Sequence, residues 1–173
     1  MQSKNCTFFF RYTLAVEQSR NRKLDLRDII LGGQDGLVNV LGVTAGVAAA
    51  SGDTRLTIAA GLAATFAESF SMAAVAYTSA IFGNRALLDA LIVGVSAILG
   101  SLIPLMPFIF LPVSTAILVA VSISAVCLFG LGAYKAKVLN MSFARVGLQV
   151  AAIGIAAAFV GYLVGLAFKA PTV

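Results

Sequence analysis

The sequence predicts an all-α integral membrane protein with five transmembrane helices, its N-terminus in the cytoplasm and its C-terminus on the outer or lumenal side. Three observations carry that expectation. Of 173 residues, 60% are hydrophobic and only 11% are charged, whereas a soluble domain carries about 25% charged residues to clothe its surface. The apolar residues gather into five runs, each near the roughly 20 residues that a spanning helix needs. The basic residues flank those runs on one side, as cytoplasmic loops require.

Residues 1–27 hold Lys4, Arg11, Arg20, Arg22, Lys23 and Arg27. Their longest apolar stretch, Phe8 to Phe10, is too short for the apolar region of a signal peptide. This part reads as a basic cytoplasmic segment, partly an amphipathic surface helix, preceding a transmembrane domain over residues 28–169. The first span is expected at residues 29–50, ending in Ser51-Gly52-Asp53-Thr54-Arg55. The second covers 56–82 and stops at Gly83-Asn84-Arg85. The third covers 86–103 and is expected to stop at Pro104 and Pro107, because prolines break the helix ladder. The fourth covers 112–134, followed by Lys135 and Lys137, and the fifth 146–168, with Lys169 and Pro171 beyond it. Only helices satisfy their backbones over runs this long in lipid.

With the N-terminus inside, the cytoplasmic side receives ten basic residues and the other side only Arg55 and Lys169. The net charge of +5 therefore reflects topology, and no nucleic-acid partner is expected. Cys6 and Cys127 stand far apart, one in the polar segment and one in an apolar run, which argues against a disulfide. The chain has no His, the commonest catalytic base and metal ligand. With no paired nucleophile and base, and no soluble domain, an enzyme is the least expected class. Tyr77 and Tyr134, near the inner ends of their spans, read as interfacial anchors. Gly42 and Gly46, and the stripe Ala151, Gly154, Ala158, Gly161 and Gly165, allow close helix approach, either within one subunit or between two.

Most of the seven acidic residues lie in or beside polar segments, but Asp35 and Glu68 fall inside apolar runs. A carboxylate at bilayer depth costs about 2.5–3.5 kcal/mol on insertion scales. Helix rise puts Asp35 roughly 9 Å in from the cytoplasmic start of its span and Glu68 roughly 15–18 Å down from the outer side. Met72 follows Glu68 by one turn on the same face and returns to nearly the depth of Asp35. Asn39 and Gly42 continue the face of Asp35, and Thr65 and Ser71 are expected to bring further oxygens near Glu68. Two carboxylates, an amide oxygen and a thioether can thus line one groove between helices. Oxygen donors suit Mg, Mn and Fe(II), and a thioether tilts the choice toward later transition metals. The set reads as a transient site for Fe(II) or Mn(II) as transported substrate, with no resident cofactor. The same carboxylates release protons when metal binds, which gives metal/proton antiport with no further parts.

Other readings stand beside this one. Asp35, within Gly32-Gly33-Gln34-Asp35-Gly36, also suits a hydrogen bond to backbone loosened at a glycine break. Glu68 also suits a protonated carboxyl bonding a neighbouring helix, and Met72 alone suits packing. At the level of the whole chain, the rivals are a transporter of another cation or small solute and a non-transporting accessory subunit.

The run Leu26-Arg27-Asp28-Ile29-Ile30-Leu31-Gly32-Gly33-Gln34-Asp35-Gly36-Leu37-Val38, followed by residues 42–48, resembles the first span of the vacuolar iron transporter family. Ala67-Glu68-Ser69-Phe70-Ser71-Met72-Ala73-Ala74 is similar to that family's second helix, and Pro104-Leu105-Met106-Pro107-Phe108 to its third-span break. The resemblance covers most of residues 26–168. It implies a five-helix subunit forming a homodimer, with a translocation path at the interface between the first two helices of each copy. It implies proton-coupled movement of ferrous iron, often with manganese, out of the cytosol. The family's aspartate carries over onto Asp35 and its methionine onto Met72; at Glu68 many relatives have a small residue, and a family glutamate lies somewhat earlier. The chain departs from the family where a long glutamate-rich cytoplasmic segment is replaced by Gly83-Asn84-Arg85, and where the second span continues as Val75-Ala76-Tyr77 without an acidic residue. It resembles a short branch without the metal-collecting domain, and its compactness favours a prokaryotic cell membrane over a vacuole.

Overall fold

Glycines decide how the helices of this chain meet. A computed structural model describes residues 29–79, 85–138 and 141–169. The expected basic segment 1–27 lies outside the described residues, as do Cys6, Gly83, Asn84 and Pro171. Five helices follow in order: α1 Ile29–Ser51, α2 Thr54–Ser79, α3 Ala86–Phe110, α4 Val113–Val138 and α5 Phe143–Ala167. All five are long and apolar enough to cross a membrane, and no strand occurs among the described residues.

Helix α1 is the most buried of the five and α2 the least. Three faces of α1 are used for packing. Gly32 and Gly36 abut the α3 backbone at Val93 and Ala97, while Gly33 takes Gly100 of α3 against its carbonyl. Gly161 and Gly165 of α5 rest against the carbonyls of Gly42 and Gly46. Thr44, fully buried, meets Gly61 of α2. The small-residue stripe of α5 is therefore satisfied inside the subunit, the first of the two alternatives its spacing allowed. The helix runs unbroken through Gly32, Gly33 and Gly36. These glycines thin α1 for contact with α3 and do not break it, so no loosened backbone awaits Asp35.

The α1–α2 connection is two residues long. Gly52 takes φ +63, the left-handed conformation glycine tolerates, and its N–H donates to Ala48 O at 3.0 Å. Asp53 caps α2, its Oδ1 accepting from Leu56 N at 2.9 Å. At the other end of the membrane-crossing pairs, α4 and α5 close through Gly132 against Gly147 and Gly154 against Leu128. Phe129 and Phe143 meet edge to face with centroids 6.0 Å apart.

One expectation about α3 is corrected. The helix does not stop at Pro104; it continues through Pro104 and Pro107 to Phe110. In a membrane bundle a proline inside a helix is tolerated where neighbouring groups and local adjustment accommodate the freed backbone, and both prolines are buried. The end is set by Pro112. Leu111 before it is extended, with φ −119 and ψ 150, the region a following proline enforces. Pro112 O then accepts from Ala116 N at 2.9 Å, which starts α4. Near this turn Phe108 lies in a core cluster with Leu41, Ala116, Ala120 and Ala158. A second cluster of Leu37, Leu128, Ala136, Val146 and Val150 fills the other half.

Candidate functional site

With Gly32 and Gly36 turned to α3, and Gly42 and Gly46 to α5, one ridge of α1 stays exposed among the described residues. It carries Leu31, Asp35, Asn39 and Val43 at intervals of four, and all four are exposed. The facing helix α2 has a complementary pattern. Thr57, Gly61, Thr65 and Ser69 form its buried stripe. The next row, Ala60, Ala64, Glu68, Met72 and Ala76, is half-buried and forms the lip of a groove. The small side chains of the buried row are what let α2 lie close to α1 and α3.

Across this groove Asn39 Nδ2 donates to Glu68 Oε1 at 2.8 Å. The Asp35 carboxyl, one turn back from Asn39 on α1, stands beside Glu68 on the same groove. Asn39 stands ten residues from the start of α1 and twelve from its end, so the pair sits about 15–18 Å from either end of that helix. The antiparallel register that joins Asn39 to Glu68 puts Asp35, four residues back on α1, level with Met72, four residues on along α2. The structure thus brings Asp35, Asn39 and Glu68 together, with Met72 one turn along the same lip. Asn39 turns its amide nitrogen to Glu68.

Two of the oxygens expected here lie elsewhere. Thr65 is on the buried row and donates to Gly61 O at 2.8 Å, and Ser71 is exposed beyond the lip. The role of Asn39 as donor to Glu68 was not foreseen. The signal was available, since an amide and a carboxylate in facing apolar helices each need a partner. Among the described residues no group of three or more His, Cys, Asp and Glu could hold a metal. Asp35 and Asn39 are exposed and Glu68 half-buried along this groove.

Comparison with known proteins agrees with this architecture. A family model described as the VIT family matches residues 26–86 and 81–166, two stretches that meet at the α2–α3 connection. An uncharacterized protein of Methanocaldococcus jannaschii is 27% identical over 177 residues, an alignment covering 86% of this chain and 92% of that protein.

Proposed function

The chain belongs to the VIT family, and on that premise we propose that it carries a divalent metal, ferrous iron or manganese, out of the cytosol in exchange for protons. The observation that carries this reading is the Asp35–Glu68–Asn39 cluster, set near the middle of α1 on a groove that opens outward. Oxygen donors of this kind suit a hard or borderline divalent cation, and the thioether of Met72 adds affinity for iron and manganese over calcium and magnesium. A cation entering between the two carboxylates takes the place of protons bound there, and its departure lets them take protons back. Metal and proton then move in opposite directions through one site.

The same placement argues for a homodimer. A carboxylate left against lipid costs about 2.5–3.5 kcal/mol, so the open side of the groove needs cover. A second copy facing the α1–α2 groove doubles the donors to four carboxylates and two amide oxygens, enough to complete a coordination shell. The exposed side chains Leu31 and Val43 on the α1 ridge and Val75 on α2, 51%, 38% and 63% exposed, give that interface its apolar contact. The basic residues place the N-terminus in the cytoplasm. The short form of the chain, and an archaeal relative, favour a prokaryotic cell membrane.

The test is metal flux in proteoliposomes with the lumenal pH recorded. Asp35→Ala and Met72→Ala should each collapse Fe(II) and Mn(II) flux, and full flux in both variants refutes the site. Lumenal pH should move with metal entry in the direction of exchange. Flux with no linked pH change reduces the protein to a facilitator. Competition by an organic amine, with indifference to metals, shows another cation to be the cargo.

A further inference from the structure

A second groove lies on the other side of α1, away from the carboxylates. It opens between α3 and α4 with α1 as its floor, and its volume is about 430 Å³. Gly33 and Leu37 form the floor, Leu99 and Ile103 one wall, Cys127 and Leu131 the other. The hollow exists because side chains are missing from Gly100 and Gly130 as well. A Cβ on Gly130 would meet nothing within 4 Å. Apart from the Cys127 thiol the lining is apolar, since Ser96 commits its hydroxyl to Val93 O at 2.8 Å.

Depth and charge identify what fits there. Leu131 is seven residues and Cys127 eleven residues before the end of α4, which places the groove about 10–16 Å from that end, at the depth of lipid tails. Following the α4 wall toward the membrane surface at intervals of four, Cys127 and Leu131 lead to Lys135, which is half-buried. From Gly130 the same step leads to Tyr134, a residue type suited to the headgroup level. On this side of the bundle the described residues carry Arg85, Lys135, Lys137 and Arg145 against the single carboxylate Asp89.

We propose that this groove is a binding site for an anionic phospholipid of the leaflet where α4 ends, one acyl chain lying between α3 and α4 and the phosphate held at Lys135. The apolar hollow selects a chain, and the lysine at its mouth selects the headgroup. The site is separate from the metal groove and does not depend on what the protein transports.

The chain has no Trp, so Leu99→Trp places a single reporter in the groove, and Val126→Trp, at a position 73% exposed, reports general lipid contact. Vesicles contain brominated phosphatidylglycerol or brominated phosphatidylcholine at equal mole fraction. The Leu99→Trp protein should be quenched by the anionic lipid at about fivefold lower mole fraction, the factor equivalent to about 1 kcal/mol per lysine near the headgroups. The Val126→Trp protein should be quenched equally by both lipids. Adding Lys135→Gln should remove the preference, and adding Gly130→Leu should fill the hollow and remove it too. Equal quenching of the groove reporter by both lipids means an ordinary lipid contact and overturns the proposal. So does a reporter quenched by neither, which would mean that protein, such as residues 1–28, fills the groove. On the unsubstituted chain, raising phosphatidylglycerol at constant total lipid should slow modification of Cys127 by a membrane-soluble maleimide several-fold, read by peptide mass. An unchanged rate overturns the proposal independently of any substitution.

Discussion

Adding one methyl group at Gly36 separates the two roles its glycines can have beside Asp35. A Cβ at this position would collide with the Ala97 carbonyl of α3 and stand 2.6 Å from Ser101 Oγ. The first obstacle is backbone, so relief requires α1 and α3 to move apart. Overpacking of this kind costs about 1–3 kcal/mol, while alanine returns at most about 1 kcal/mol of helix propensity. The expected net loss for Gly36→Ala is on the order of 1–2 kcal/mol. At about 2–4 °C per kcal/mol for a chain of this size, the unfolding temperature in detergent should fall by several degrees. Gly42→Ala is the matched control. Its Cβ would lie 3.4 Å from Ala157 O, an ordinary contact, so the propensity gain stands and stability should hold or rise. Circular dichroism melts of the two variants give opposite signs. A Gly36→Ala protein as stable as the parent would refute the close α1–α3 contact that positions Asp35.

Four further outcomes follow from the same geometry. Asn39→Leu removes the donor to Glu68 and should cost about 1–3 kcal/mol, the penalty of an unpartnered polar group, with metal flux in proteoliposomes falling sharply. Glu68→Gln keeps the size of the side chain and loses one of the two exchangeable protons, so any residual metal flux should move lumenal pH less per metal carried, as read by a trapped dye. Gly161→Ala should lower the unfolding temperature by several degrees at every protein concentration, because its clash with the Gly42 carbonyl is within one subunit. Val75→Cys, in a chain with Cys6 and Cys127 replaced by Ser, should form a disulfide between copies under mild oxidation; a protein that stays wholly uncrosslinked in vesicles argues against pairing through the α1–α2 groove.

The number and approximate limits of the helices were legible in the sequence because apolar runs near 20 residues leave a membrane protein few alternatives. Asp35 and Glu68 were legible for the same reason, since a chain with so few charges exposes each one that lies in an apolar run. The error at α3 has a physical cause. Rules for proline derive from helices whose freed carbonyls face water or a rigid neighbour, and Pro104 and Pro107 are packed within a bundle, while the decisive residue, Pro112, acts through the conformation of Leu111. The glycine stripe of α5 could not be assigned from spacing alone, because close approach within a subunit and between subunits asks for the same residues. Only the contacts of Gly161 and Gly165 with α1 decide it. Thr65 was misplaced by one helical row. Residues three apart share a side of a helix only loosely, and here the row of Thr65 is buried while the row of Glu68 forms the lip.

The most direct test of metal passage through the α1–α2 groove is a structure of crystals soaked in Mn(II), with anomalous scattering recorded. An anomalous peak is expected within coordination distance of Asp35 and Glu68, near Met72, with its loss in Asp35→Ala. A soaked crystal of a protein with active flux that shows manganese bound elsewhere, with none between these helices, would contradict it.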